Sequence, residues 1–72
     1  SVQVLNLYDL NKIGKKDITP ELLYDLGFIN KNNPYKILGN GEVDNSINVS
    51  ANMFSKKAIE KIESAGGSVS FI

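Results

Sequence analysis

Neither cysteine nor histidine occurs anywhere in the chain, and the two absences remove whole classes of chemistry. Without cysteine there is no disulfide framework and no thiolate metal site. Without histidine the chain lacks the side chain best suited to proton transfer near neutral pH and the commonest zinc ligand, so His-based triads and zinc sites are excluded. No metal or other cofactor is expected, and a non-enzyme is favoured. Arginine is missing too: all eight basic residues are lysine, which binds phosphate as a point charge and lacks the planar fork that reads bases bidentately. Long hydrophobic runs are also absent. The apolar residues come in short bursts between Asn, Gly and Lys, far below the roughly 18 consecutive residues of a membrane span, so no membrane partner is expected.

What is present suits one small domain, residues 1–72. A chain of this size buries only about 60% of its unfolded surface and is marginal on its own. Eight lysines balance eight Asp and Glu, so any binding of an anionic partner depends on how the charges are arranged. The opening Ser1-Val2-Gln3-Val4-Leu5 carries no basic stretch followed by an apolar run and no initiator Met. That is the expectation for a fragment of a longer protein without a signal peptide.

Two helices are predicted from matching start signals. In Ile18-Thr19-Pro20-Glu21-Leu22-Leu23, Thr19 can cap free N–H groups, Pro20 suits the first helical position and Glu21 complements the positive helix end. Leu22, Leu23 and Leu26 form its apolar stripe, and Gly27 with Phe28 reads as a Schellman stop. In Phe54-Ser55-Lys56-Lys57-Ala58-Ile59, Ser55 is the cap and Phe54 is expected to staple onto Ile59. Ala58, Ile59, Ile62 and Ala65 face inward, and Gly66-Gly67 ends the helix. Ile18, Thr19, Leu22, Leu23 and Leu26 recur 36 residues later as Phe54, Ser55, Ala58, Ile59 and Ile62, a hint of a duplicated unit. Strands are expected at Val2 to Leu7, Tyr35 to Leu38, Glu42-Val43 continuing to Ile47 to Ala51, and Ser68 to Ile72, with Val69 and Phe71 half buried. The fold class is therefore α+β: a small sheet with two short amphipathic helices.

Gly39-Asn40-Gly41 invites a phosphate-loop reading, but no Lys-Ser/Thr and no helix come after it. Glycine on both sides of Asn suits a hairpin or bulge instead. The carboxylate pairs Glu42 with Asp44 and Glu60 with Glu63 read as solvated turn and helix face rather than as acid-base machinery. Asn48-Val49-Ser50 matches a glycosylation sequon but reads as a strand with its polar residues outward. Only at Ser55-Lys56-Lys57 do free N–H groups, the positive end of a helix dipole and two lysines converge into a physical anion site, and from chemistry alone a capped helix with two solvated lysines accounts for the same residues at least as well. Lys12, Lys15 and Lys16 form a second basic loop around Gly14, equally readable as a solvated turn, and Lys36 precedes the glycine turn with its direction open.

Taken together, Lys36-Ile37-Leu38-Gly39-Asn40-Gly41-Glu42-Val43, Ile47-Asn48-Val49, Phe54-Ser55, Ala58, Ile62 and Ala65-Gly66-Gly67 resemble the C-terminal domain of the bacterial-type ribosomal large-subunit protein numbered fifteen. Val4-Leu5-Asn6-Leu7 with Leu10, and Ile18-Thr19-Pro20-Glu21-Leu22 with Gly27, are similar to the same family in the same order. The resemblance implies an irregular repeat of two strands and a helix. It also implies a structural, non-catalytic role: binding large-subunit ribosomal RNA and supporting subunit assembly among neighbouring ribosomal proteins, in a bacterial or organellar ribosome. In that family a basic arm precedes this domain. The expected RNA contacts are Ser55, Lys56 and Lys57, with Lys36, Asn40 and Asn52 nearby, made by shape and phosphate contact. No small-molecule substrate is expected. The main competing reading is a small protein-protein adaptor, and a carboxylate-dependent enzyme is a distant third.

Overall fold

Helix starts and stops fall where local chemistry puts them. In the computed structural model, which describes residues 1–72, Thr19 Oγ1 accepts the Leu22 N–H at 3.2 Å and Ser55 Oγ accepts the Ala58 N–H at 3.1 Å. These caps open α2 (Pro20–Asp25) and α3 (Lys56–Ser64). Both helices end in Schellman motifs. Phe28 and Gly27 donate to the carbonyls of Leu23 and Tyr24 at 2.9 and 3.0 Å, and Gly67 and Gly66 donate to those of Ile62 and Glu63 at 3.0 and 2.9 Å.

A further helix occupies ground that the sequence pattern assigns to strand and loop. The first strand, β1, is Gln3–Asn6, and Leu7 already opens α1 (Leu7–Ile13). Asn6 and Asp9 explain the switch. Asp9 Oδ2 accepts the Asn6 N–H at 2.8 Å across the first turn, while Leu7 and Leu10, three apart, go into the core.

The remaining strands are β2 (Asp17–Ile18), β3 (Tyr35–Leu38), β4 (Asn48–Ala51), β5 (Met53–Phe54) and β6 (Ser68–Phe71). They form two three-stranded sheets: sheet A in the order β1-β3-β5 and sheet B in the order β2-β4-β6. Every pairing is parallel. The chain therefore alternates between the sheets and winds round three times. It crosses from A to B through α1, through residues 39–47 and through α3, and returns through α2 with residues 26–34 and then through Asn52 alone. A hairpin at Gly39-Asn40-Gly41 is ruled out, because β3 and β4 lie in different sheets, and Glu42-Val43 belongs to the loop rather than to a strand. The echo between Thr19 and Ser55 is one of helix-start chemistry: the strand before Thr19 is in sheet B and the strand before Ser55 is in sheet A.

Side chains from both sheets and all three helices share one core. Leu5 and Ile37 come from sheet A, Ile18, Val49 and Ala51 from sheet B, and Leu7, Leu10, Leu23, Ala58 and Ile62 from the helices. Tyr35 joins them with its hydroxyl donating to the Ser50 carbonyl, and burial, helped by the Glu21 charge, pushes the pKa of that hydroxyl up to about 12. Leu26 departs from its expected place. It sits at the C-cap of α2 with 52% of its surface exposed, where the stripe has run past the core. Phe71, at 62%, is exposed rather than half buried, because β6 is an edge strand. It stacks edge-on against Phe54 with ring centroids 5.1 Å apart, which makes Phe71 the aromatic partner of Phe54.

Candidate nucleic-acid interface

Three parallel strands of sheet A end together at Asn6, Leu38 and Phe54. Each end leads into a different element: α1 after Asn6, the glycine loop after Leu38, and Ser55 with α3 after Phe54. Two helix N-termini and a loop thus meet at the carboxyl end of one parallel sheet, the side on which open α/β sheets generally place their ligands.

The loop ties the two helices together. Asn40 accepts the Tyr8 N–H through its carbonyl at 3.0 Å and donates its own N–H to Asn6 Oδ1 at 3.3 Å. Lys61 reaches across from α3 to donate to the Gly41 carbonyl at 2.8 Å, and Asn11 Nδ2 donates to the Glu42 carbonyl. Loop carbonyls therefore face α1 and α3, the opposite of a cradle built from N–H groups.

The glycines allow this closeness. A Cβ on Gly39 would lie 2.8 Å from Lys57 Cβ and 2.9 Å from the Ala58 nitrogen. Gly41, at φ +102°, is in the left-handed region, and a Cβ there would come within 2.6 Å of the Tyr8 nitrogen. The turn lets a chain segment wedge between two helix starts.

Of the two helix starts, that of α1 is filled by Asn40. At α3 the first intrahelical bond is Ile59 to Ser55, at 3.1 Å, so the N–H groups of Lys56 and Lys57 precede the helical ladder. Both lysine side chains are exposed, at the positive end of the α3 dipole.

The expected site residues divide into three groups. Asn40, Ser55, Lys56 and Lys57 come together at this end of the fold. Lys36 lies on β3 between Val4 and Met53 in register. It is half buried and points away from the core side taken by Tyr35 and Ile37. Asn52 is at the other end of sheet A: its Oδ1 accepts the Tyr35 N–H at 2.9 Å and its Nδ2 donates to the Ile72 carbonyl at 3.3 Å. Asn6, Asn11 and Lys61, which position the loop, are not singled out by the sequence pattern. Of these only Asn6 has a local signal, a capping residue three positions before the acidic Asp9.

Comparison with known proteins adds an independent line. The family described as ribosomal proteins 50S-L15 and 50S-L18e, together with their 60S counterpart, matches residues 2–70. The chain is 46% identical over 67 residues to the large ribosomal subunit protein uL15 of Corynebacterium aurimucosum, covering 90% of this chain and 45% of that protein. It is 47% identical over 72 residues to the protein of the same name from Thermobifida fusca, covering 97% and 48%. Against that of Koribacter versatilis it is 47% identical over 64 residues, covering 89% and 44%. The chain spans about half the length of the curated relatives it matches.

Proposed function

The chain belongs to the ribosomal protein family of 50S-L15, 50S-L18e and their 60S counterpart, and from that premise we propose that it is a structural constituent of the large ribosomal subunit. In this reading it binds large-subunit ribosomal RNA, supports assembly beside neighbouring ribosomal proteins, catalyses nothing, and works in the ribosome of a bacterium or an organelle. The domain is the C-terminal part of a longer protein whose preceding arm is basic. The observation that carries the reading is the family match across nearly the whole chain.

RNA contact falls to the carboxyl end of sheet A. Lys56 and Lys57 meet phosphate oxygens, joined by the N–H groups of the α3 start, with Ser55 fixing that start and Asn40 adding a polar contact from the loop. Lys36 adds a third charge from the sheet face alongside. Asn52 acts at a distance, holding β3 and the C-terminus in place. With no arginine in this cluster, and Tyr8 at the α1 start as its exposed aromatic ring, contact is by shape and charge rather than by bidentate base readout.

Three lysines neutralising about three phosphates give a log-log salt slope of roughly 2 to 3 in magnitude. Filter binding of the chain to large-subunit ribosomal RNA across a salt series measures it directly. A Lys56→Ala/Lys57→Ala double variant that keeps the wild-type slope would remove these residues from the interface.

A further inference from the structure

The amino end of sheet A carries a second feature, of opposite charge. An open groove of about 720 Å³ runs between α2 and residues 29–34, with Tyr35, Asn52 and Ile72 at its inner end. Pro20 and Pro34 supply apolar walls, and Glu21 and Asp25 line it from α2. Four residues apart, these two carboxylates share a helix face with Tyr24 beside them, and all three side chains are exposed. The Tyr24 ring already holds a cation: Lys31 Nζ lies 4.4 Å from its centroid, within the range of a favourable cation–π contact. The field of Glu21 also reaches inward as far as the Tyr35 hydroxyl.

We propose that this groove docks an extended peptide segment of a protein partner bearing Lys or Arg. Its cationic side chains meet Glu21, Asp25 and the face of Tyr24, and its apolar atoms rest against Pro20 and Pro34. Charge complementarity selects this occupant: with Lys31 also on the lining, Glu21 and Asp25 leave the groove a net charge of −1, which favours a cationic segment over the phosphates of a nucleic acid. Lys31 holds the face of Tyr24 that an incoming cation takes over, so binding displaces it. The domain is thereby bipolar, with RNA at the lysine-bearing end of sheet A and a basic protein segment at the carboxylate-bearing end. The groove shares no residue with the lysine cluster, so either assignment can fail without the other.

The test is a titration of the ¹⁵N-labelled chain with a decapeptide of alternating Arg and Pro residues, which is extended in solution, and with an alternating Glu and Pro peptide as control. Saturable amide shifts confined to residues 21–35, 52 and 72 are expected with the Arg peptide only. Glu21→Gln/Asp25→Asn and, separately, Tyr24→Leu should each weaken binding roughly fivefold or more. The Lys56→Ala/Lys57→Ala variant should bind as the wild type does. All the altered side chains are exposed, and retained amide dispersion verifies that each variant is folded. Shifts centred outside the groove, equal response to the Glu peptide, or wild-type affinity in the Glu21→Gln/Asp25→Asn variant would overturn the proposal. So would groove shifts that grow with protein concentration alone, which would make a second copy of the chain the occupant.

Discussion

Replacing Gly39 by alanine isolates the close approach on which the candidate interface depends. Gly39 is buried and its φ lies outside the left-handed region, so the backbone accepts alanine and the penalty is steric. The new Cβ would meet Lys57 Cβ at 2.8 Å, Lys57 Cγ at 2.9 Å and the Ala58 nitrogen at 2.9 Å. Lys57 Cγ can rotate away, but Lys57 Cβ and the Ala58 nitrogen are fixed to α3. Restoring ordinary contact of ~3.5 Å requires the loop and helix to part by roughly 0.7 Å. Overpacking of this kind costs about 1–3 kcal/mol. For a domain this small each kcal/mol lowers Tm by roughly 4–8 °C, so a fall of roughly 8–16 °C is expected for ~2 kcal/mol. Thermal denaturation followed by circular dichroism measures it. RNA affinity should fall in parallel, since Asn40 and Lys57 are pushed apart. Gly14→Ala provides the contrast: at φ +71° with nothing within 4 Å of the added Cβ, it carries backbone strain alone and should leave RNA affinity unchanged. A Gly39→Ala protein within about 0.5 kcal/mol of wild type, the range of an ordinary surface substitution, would refute the wedge.

Other perturbations address separate parts of the structure. Lys56→Ala/Lys57→Ala should lower the salt slope of RNA binding to below ~1 in magnitude, measured by filter binding, with Tm little changed. Leu23→Ala, at a fully buried position, should cost about 2–5 kcal/mol in urea denaturation, whereas Leu26→Ala should cost under about 0.5 kcal/mol. Tyr35 ties stability to alkaline pH. The pKa of its hydroxyl is raised from 10.0 to about 12, so the folded state holds that proton more tightly than the unfolded one. The resulting stabilisation is fully present below pH 10 and is lost as pH rises through 12; solvent screening beside the open groove reduces it to roughly 1–2 kcal/mol. Tyr35→Phe should therefore be less stable than wild type at neutral pH and should close most of that gap by pH 12 in urea titrations.

Legibility in the sequence followed the range of the interaction. Thr19, Ser55, Gly27 and Gly66-Gly67 act within a turn or two of their own positions, so both capped helices could be read with their stops. The third helix was hidden because Tyr8, Asp9 and Asn11 within it are weak helix formers and the apolar alternation before them looks like a strand that continues. Its stability comes from Leu7 and Leu10 reaching the core and from the Asn40 carbonyl, 32 residues away from Tyr8. Parallel pairing between strands far apart leaves no local turn signature, so the division into two sheets and the three-turn winding were not foreseeable from spacing. The candidate site divides in the same way. Ser55, Lys56 and Lys57 announce themselves as a helix start with charge, and their clustering with Asn40 follows from the Gly39 approach. Asn52 carries no local sign that its amide links Tyr35 to Ile72, partners 17 and 20 residues distant.

Sedimentation of the full-length tagged protein through sucrose gradients with purified large ribosomal subunits tests most directly whether this chain is part of a large-subunit ribosomal protein that holds ribosomal RNA by charge. At low salt it should travel with the large-subunit peak, and Lys56→Ala/Lys57→Ala should leave that peak at a lower salt concentration than wild type. Wild-type protein that stays at the top of the gradient at low salt would contradict the assignment.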